Sequence, residues 1–378
     1  MLFALLNLLI VAILCSTPWG DSNVDPRSPY YQHLPDCDKR TTPNVIKKTD
    51  RKGVVCPMIK DEIGFLSEFV AFYEMMGFNE VVFYDNNSTS STAELKPWID
   101  TGFVTIVQDW GQASIPGLFK NKKKKYLDMM RVKFAAEVHC KASAAAKGYE
   151  VFVSVDMDEY VLPRRSGLTV MDDLMQWFDE TTRGIAVISK LQFPPTPHIL
   201  EPVNLLTLEA YQTRMGEPGR MNYYTSVSNK VALRLQGSKD YTNTTTAFLV
   251  HCCDFHGCGN FNVHAKCKQW FQEGERWNID GKHRKWIPTP RINHYARSLE
   301  KYILKQGTWD TAGNGRDYDT YNFLDRVSGF KFDNSALEWT CQLRELLRNR
   351  TGEQHYLRPG DVWYRNPEFG KTVSDARK

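Results

Sequence analysis

The sequence predicts an α/β fold: a mostly parallel central sheet flanked by helices, with an irregular C-terminal half. Two observations carry this. From Val54 onward, short apolar runs rich in Val, Ile and Phe alternate with segments of helical spacing, the order expected of a parallel sheet with helices on its faces. One run, "VFVSVDMDEYVLP" at 151–163, ends in three acids within four residues. Open α/β sheets bind their ligands at the carboxyl ends of strands.

The chain has 378 residues, 42% of them hydrophobic and 12% aromatic, enough for one large domain or two ordinary ones. A net charge of +4 makes no case for nucleic acid or an acidic polymer as partner. The uncharged run "MLFALLNLLIVAILC" is shorter than the roughly 20 residues a spanning helix prefers, and small residues and a turn, "STPWGDS", follow it. Residues 1–20 therefore read as a signal peptide or signal anchor, with residues 2–16 as a possible membrane anchor. An apolar N-terminal core helix is the alternative. Either form of signal sends the chain to the secretory lumen (Golgi or ER), or outside the cell if the signal is cleaved.

Beyond Cys15, the cysteines are Cys37, Cys56, Cys140, Cys252, Cys253, Cys258, Cys267 and Cys341. Their even number suits disulfides in an oxidising lumen, though eight allow about 105 pairings. Sequons at Asn243 and Asn349 agree with a glycoprotein.

Residues 21–50 are a polar, Pro-containing linker arm, 51–350 the folded domain and 351–378 a C-terminal tail. Within the domain, "GVVCPMI" (53–59) is a buried strand. Leu66, Phe69, Val70, Tyr73 and Met76 follow at helical spacing, with Gly77 as the stop. "EVVFYDNNSTSS" (80–91) is a strand entering an Asx/Ser turn. Ser91 and Glu94 frame a capping box for a helix ending near Thr101. Strands at 103–108 and 151–155 bracket a long helix over 119–147. "GIAVISKLQF" is a further strand, and a last helical zone runs over 297–349.

In an extended chain alternate residues share a face, so Asp156 and Asp158 are expected to point the same way. Paired carboxylates repel unless a cation lies between them, and oxygen ligands favour Mg²⁺ or Mn²⁺ over zinc. Such a cation can clamp a diphosphate. A solvated acidic turn is the bland alternative, but a plain turn has no use for three acids and a Tyr.

These residues resemble a known family. "FLSEFVAFYEMMGFNEVVFYDNNSTSS" (65–91), "AAEVHC" (135–140), "DMDEY" (156–160) and "RINHYARSLEKYILKQ" (291–306) are similar, in the right order, to the motifs of glycosyltransferase family 92. The resemblance implies a GT-A fold over 51–350 and a hexosyltransferase. That enzyme would move a sugar, commonly galactose, from a UDP-sugar to a glycan acceptor with inversion, using Mn²⁺ or Mg²⁺. It makes Asp156 and Asp158 the metal and diphosphate motif, turns Asp85 toward the nucleoside, and brings His294 to the metal. The sequence departs from the family at Thr89 and Ser90, where an acid often stands, which leaves the ribose contacts open.

Lys230 in "SNKVALR" is a candidate phosphate contact, and "KNKKKK" (120–125) an exposed helix end or a phosphate patch. "HCCDFHGCGNFNVHAKC" (251–267) lacks the C-x₂-C spacing of zinc sites, so disulfides are expected there. Asp254 and Glu209 are the candidates for the base that inversion needs. The sequons at Asn86 and Asn87 fall on the donor loop and are expected to stay unmodified. Two other readings compete: a secreted non-catalytic carbohydrate-binding or structural protein, and a glycoside hydrolase. The hydrolase is disfavoured because its carboxyls must flank the scissile bond.

Overall fold

The computed structural model describes residues 34–37, 50–60, 62, 65–88, 92–108, 125–181, 184–193, 205–215, 230–236, 290–295 and 330–352. The signal segment, Asp254, the Cys/His-rich stretch and Asn243 lie outside these residues. Among the described residues, no helix is long and apolar enough to cross a membrane.

Strands β1 (Gly53–Val55) and β2 (Met58–Ile59) lie in succession beside β3 (Glu80–Asp85), both parallel to it. Between them, α1 (Leu66–Met75) buries Leu66, Phe69, Val70 and Tyr73, with Met76 just beyond its end, as the spacing predicts. Each such apolar side chain contributes about 1.5–3 kcal/mol. Gly77 ends the helix in the left-handed region, at φ 86°. A Cβ there would also lie 3.0 Å from Thr169 Oγ1, so the turn and the packing both call for glycine.

After α2 (Lys96–Ile99), β4 (Val104–Val107) pairs parallel to β3. Helix α3 (Lys125–Ala146) then returns the chain to β5 (Val151–Val153), parallel to β1 on its other side. Next come β6 (Glu159–Leu162) and α4 (Val170–Thr181). Thr169 caps α4, its Oγ1 accepting the Asp172 N–H at 3.0 Å. The remaining elements are β7 (Ile185–Phe193), α5 (Thr207–Ala210), β8 (Thr213–Met215), β9 (Lys230–Arg234), β10 (Arg291–Tyr295), β11 (Phe330–Phe332) and α6 (Thr340–Thr351).

The main sheet runs β2-β3-β1-β5-β9-β7-β10-β6, with β4 on β3. It is more mixed than the sequence predicts. The half from β4 to β5 is parallel, but β9 inserts antiparallel between β5 and β7, and β6 closes the far edge antiparallel to β10. The last zone also differs from expectation. A strand, β11, and a 3₁₀ turn over Ser335–Trp339 precede the helix.

Two disulfides occur among the described residues. Cys56–Cys140 fastens α3 to the chain just after β1, and Cys37–Cys341 fastens the arm to α6. Constraints of this kind typically stabilise by about 2–4 kcal/mol.

Candidate active site

The acids do not continue β5. The strand stops at Val153, and 154–158 form a turn that enters β6 at Glu159. The turn closes on itself. The Asp156 N–H donates to Glu159 Oε2 at 2.8 Å, and the Glu159 N–H to the Asp156 carbonyl at 3.1 Å. The shared face expected of Asp156 and Asp158 is therefore a correction: without extended backbone the alternation rule lapses, and the two carboxylates meet different partners.

Sheet register gathers those partners. His294 on β10 stands opposite Glu159 on β6 and beside Gln192 on β7. Lys190 shares Gln192's face two residues earlier, and Lys230 on β9 pairs with Ile188 on β7. Lys133 reaches in from α3. Its Nζ lies 2.5 Å from Asp156 Oδ1, while Lys230 Nζ lies 2.7 Å from Asp156 Oδ2 and 3.1 Å from Glu159 Oε2. Lys190 Nζ lies 3.1 Å from Glu159 Oε1. Asp158 instead faces His294, with Nε2 3.5 Å from Oδ1.

Gln192 Oε1 meets His294 Nδ1. Gln192 thus holds one ring nitrogen and leaves the other, Nε2, facing the Asp158 carboxylate. Burial, with help from Lys190, lowers the His294 pKa against the opposing charge and hydrogen bond of Asp158. A neutral imidazole and carboxylates gathered this closely could hold a cation. The ligand atoms of Asp158, Glu159 and His294 all lie within 4.8 Å of one another, a group that omits Asp156.

The lysines differ in electrostatics. Burial works against charge on Lys230, but Asp156 and Glu159 outweigh it and hold its pKa above the usual range. Burial dominates at Lys133 and lowers its pKa, with Asp156 opposing and Lys230 adding to the fall. Glu137, one turn along α3, accepts from Ser154 Oγ at 2.6 Å, and burial pushes its pKa up to about 7.

The other sequence candidates divide. Asp85 ends β3 on the same carboxyl edge as the acidic turn, since β1, β3 and β5 run parallel. It accepts the Ser88 N–H at 2.9 Å, and Asn87 turns the chain at φ 56°. Lys230 is corrected from a phosphate contact to a fully buried counter-ion. Glu209 is corrected from a candidate base: its buried carboxylate accepts the Leu206 N–H at 3.0 Å and is clamped by the guanidinium of Arg344. Lys133, Glu137, Lys190 and Gln192 were not among the sequence candidates. The readable signal was a Lys and a Gln at alternate positions inside the apolar run "VISKLQF".

The family model of glycosyltransferase family 92 matches residues 54–203. No curated protein matches the chain in sequence. Among solved structures, residues 1–349 of S. aureus TarS match at 18% identity and TM-score 0.25, covering 49% of this chain and 47% of that one. Core-mannan synthase A from Aspergillus fumigatus, in its Mn/GDP form, matches at 14% identity and TM-score 0.27, covering 44% and 50%. Glucosyl-3-phosphoglycerate synthase from Mycobacterium tuberculosis, with Mn²⁺, UDP and glucosyl-3-phosphoglycerate, matches at 15% identity and TM-score 0.24, covering 49% and 57%. The chain thus spans about half the length of each of these structures. The part of the chain that is similar to glycosyltransferase family 92, residues 54–203, contains the acidic turn and Lys133.

Proposed function

We propose that the chain is a metal-dependent glycosyltransferase that moves a hexosyl group, with galactose the first candidate, from a UDP-sugar to a glycan acceptor. The observation that carries the metal is the gathering of Asp158, Glu159 and His294, whose ligand atoms all lie within 4.8 Å of one another. The carboxylates of such a set suit Mn²⁺. Asp158 and His294 would hold the ion, with Glu159 alongside them though already committed to Lys190 and Lys230. When bound, the ion supplies positive charge against the diphosphate that leaves.

In the proposed reaction an acceptor hydroxyl oxygen bonds to the anomeric carbon from the face opposite the diphosphate. The bond from that carbon to the diphosphate breaks and its electron pair leaves with UDP. The acceptor proton passes to a base, for which Asp254 remains the proposal now that Glu209 is taken by Arg344. Asp85, at the same sheet edge, is proposed to face the nucleoside. The disulfides support a secretory-lumen location.

Calorimetry with UDP, with and without Mn²⁺, tests the reading, followed by a panel of nucleotide sugars assayed for released UDP. Manganese-dependent UDP binding is expected. A folded chain that binds neither the metal nor UDP would defeat the proposal.

A further inference from the structure

Asp156 is over-supplied with positive charge. One ammonium neutralises one carboxylate, yet Lys230 and Lys133 occupy its two oxygens at 2.7 and 2.5 Å. Lys230 is the counter-ion of the fold: it has no exposed surface, it also serves Glu159, and its strand is locked between β5 and β7. Lys133 is the surplus cation. It comes from a helix rather than the sheet, and the Lys133–Asp156 pair reaches solvent, with side-chain exposures of 13% and 34%. Each of the two lysines also disfavours the other, because they share one acid.

The charge of the whole cluster gives this surplus a use. The three lysines balance Asp156, Asp158 and Glu159, and Glu137 lies close to Lys133 and Lys230, so a divalent ion at Asp158 and His294 would leave the site with one to two positive charges in excess. A diphosphate brings the matching charge. Lysine binds phosphate as a mobile point charge on a flexible stem.

We propose that Lys133 recognises the donor's diphosphate, exchanging its Asp156 contact for a phosphate oxygen, and that Asp156 parks this ammonium rather than ligating the metal. The inference rests on the glycosyltransferase reading and refines it, because it divides the paired acids into one metal ligand and one lysine holder.

The test is calorimetry on the full chain, with Mn²⁺, UDP and uridine as separate probes and thermal melting as the check on folding. K133M should weaken UDP binding about 10–100-fold, leaving Mn²⁺ and uridine binding as in the wild type, and K133R should recover part of the loss. D156N should still bind Mn²⁺. Unchanged UDP affinity in K133M, an equal loss of uridine and UDP, or loss of Mn²⁺ binding in D156N would each overturn the inference. A wild-type chain that binds neither Mn²⁺ nor UDP would instead overturn the glycosyltransferase reading beneath it.

Discussion

Two clusters of buried charge flank the same sheet and are built on different plans. Around Arg164 the partners are local: its Nε donates to Asp173 Oδ1 at 2.7 Å, its backbone N–H to Asp173 Oδ2 at 2.5 Å, and its Nη1 to Glu180 Oε2 at 3.1 Å. A planar guanidinium meets acids from one nearby helix, and both oxygens of Asp173 are answered by one residue. Around Asp156 the cations are lysines from α3, β7 and β9, the acids come from one turn, and the contacts are shared. Asp156 lies between two ammoniums and Lys230 between two acids. The arginine fork suits holding β6 against α4. Shared point charges, each with a second partner at hand, suit a place where contacts must exchange.

The sharpest way to break this contrast is at Asp158. Asp158→Asn keeps the shape and removes the charge, so Mn²⁺ binding should disappear and sugar transfer should fall about a thousandfold, the scale of several kcal/mol. Calorimetry and a UDP-release assay read both. Normal manganese affinity in this variant would dissolve the distinction. At the other cluster, Arg164→Met strands the fully buried Asp173 and should cost about 3–5 kcal/mol of stability. Denaturant unfolding measures it, and Mn²⁺ affinity in the folded fraction should not move.

Glu137 offers a pH test. Its folded pKa, about 7, stands above the 4.5 of an ordinary glutamate. Its contribution is therefore complete below about pH 4.5 and is lost as pH rises toward 7, because the unfolded chain gives up that proton first. Glu137→Gln should flatten this part of the stability profile, and an unaltered slope would mean that another group titrates there. The smallest expected effect is at Gln192. Gln192→Met removes the hydrogen-bond partner that orients the His294 ring and should weaken Mn²⁺ binding about 10–100-fold, whereas Gln192→Glu, which keeps a partner there, should retain it.

Much of the first half of the fold was legible in the sequence, because local pattern decides it. The apolar spacing of α1, the stop at Gly77 and the strand ahead of the acids all depend on neighbours a few residues apart. The acids and His294 were legible for a similar reason: charged or imidazole groups beside apolar runs stand out. The lysines that answer the acids were not. Lys230 meets Asp156 across 74 residues of chain, only because β9 inserts between β5 and β7. Glu209 shows the same limit from the other side. A lone carboxylate reads equally as a base or as a brace, and the Arg344 that decides between them lies 135 residues away.

The position of β9 has one more consequence. The stretch recognisable as family 92 ends at residue 203, yet both hydrogen-bonding neighbours of β7, β9 and β10, lie beyond it. A fragment trimmed to that boundary would carry β7 bare along both sides, an open invitation to clump with other strands. It would also leave Asp156 and the fully buried Glu159 without the ammonium of Lys230. Trimming at the recognisable border would therefore yield insoluble protein rather than a minimal enzyme.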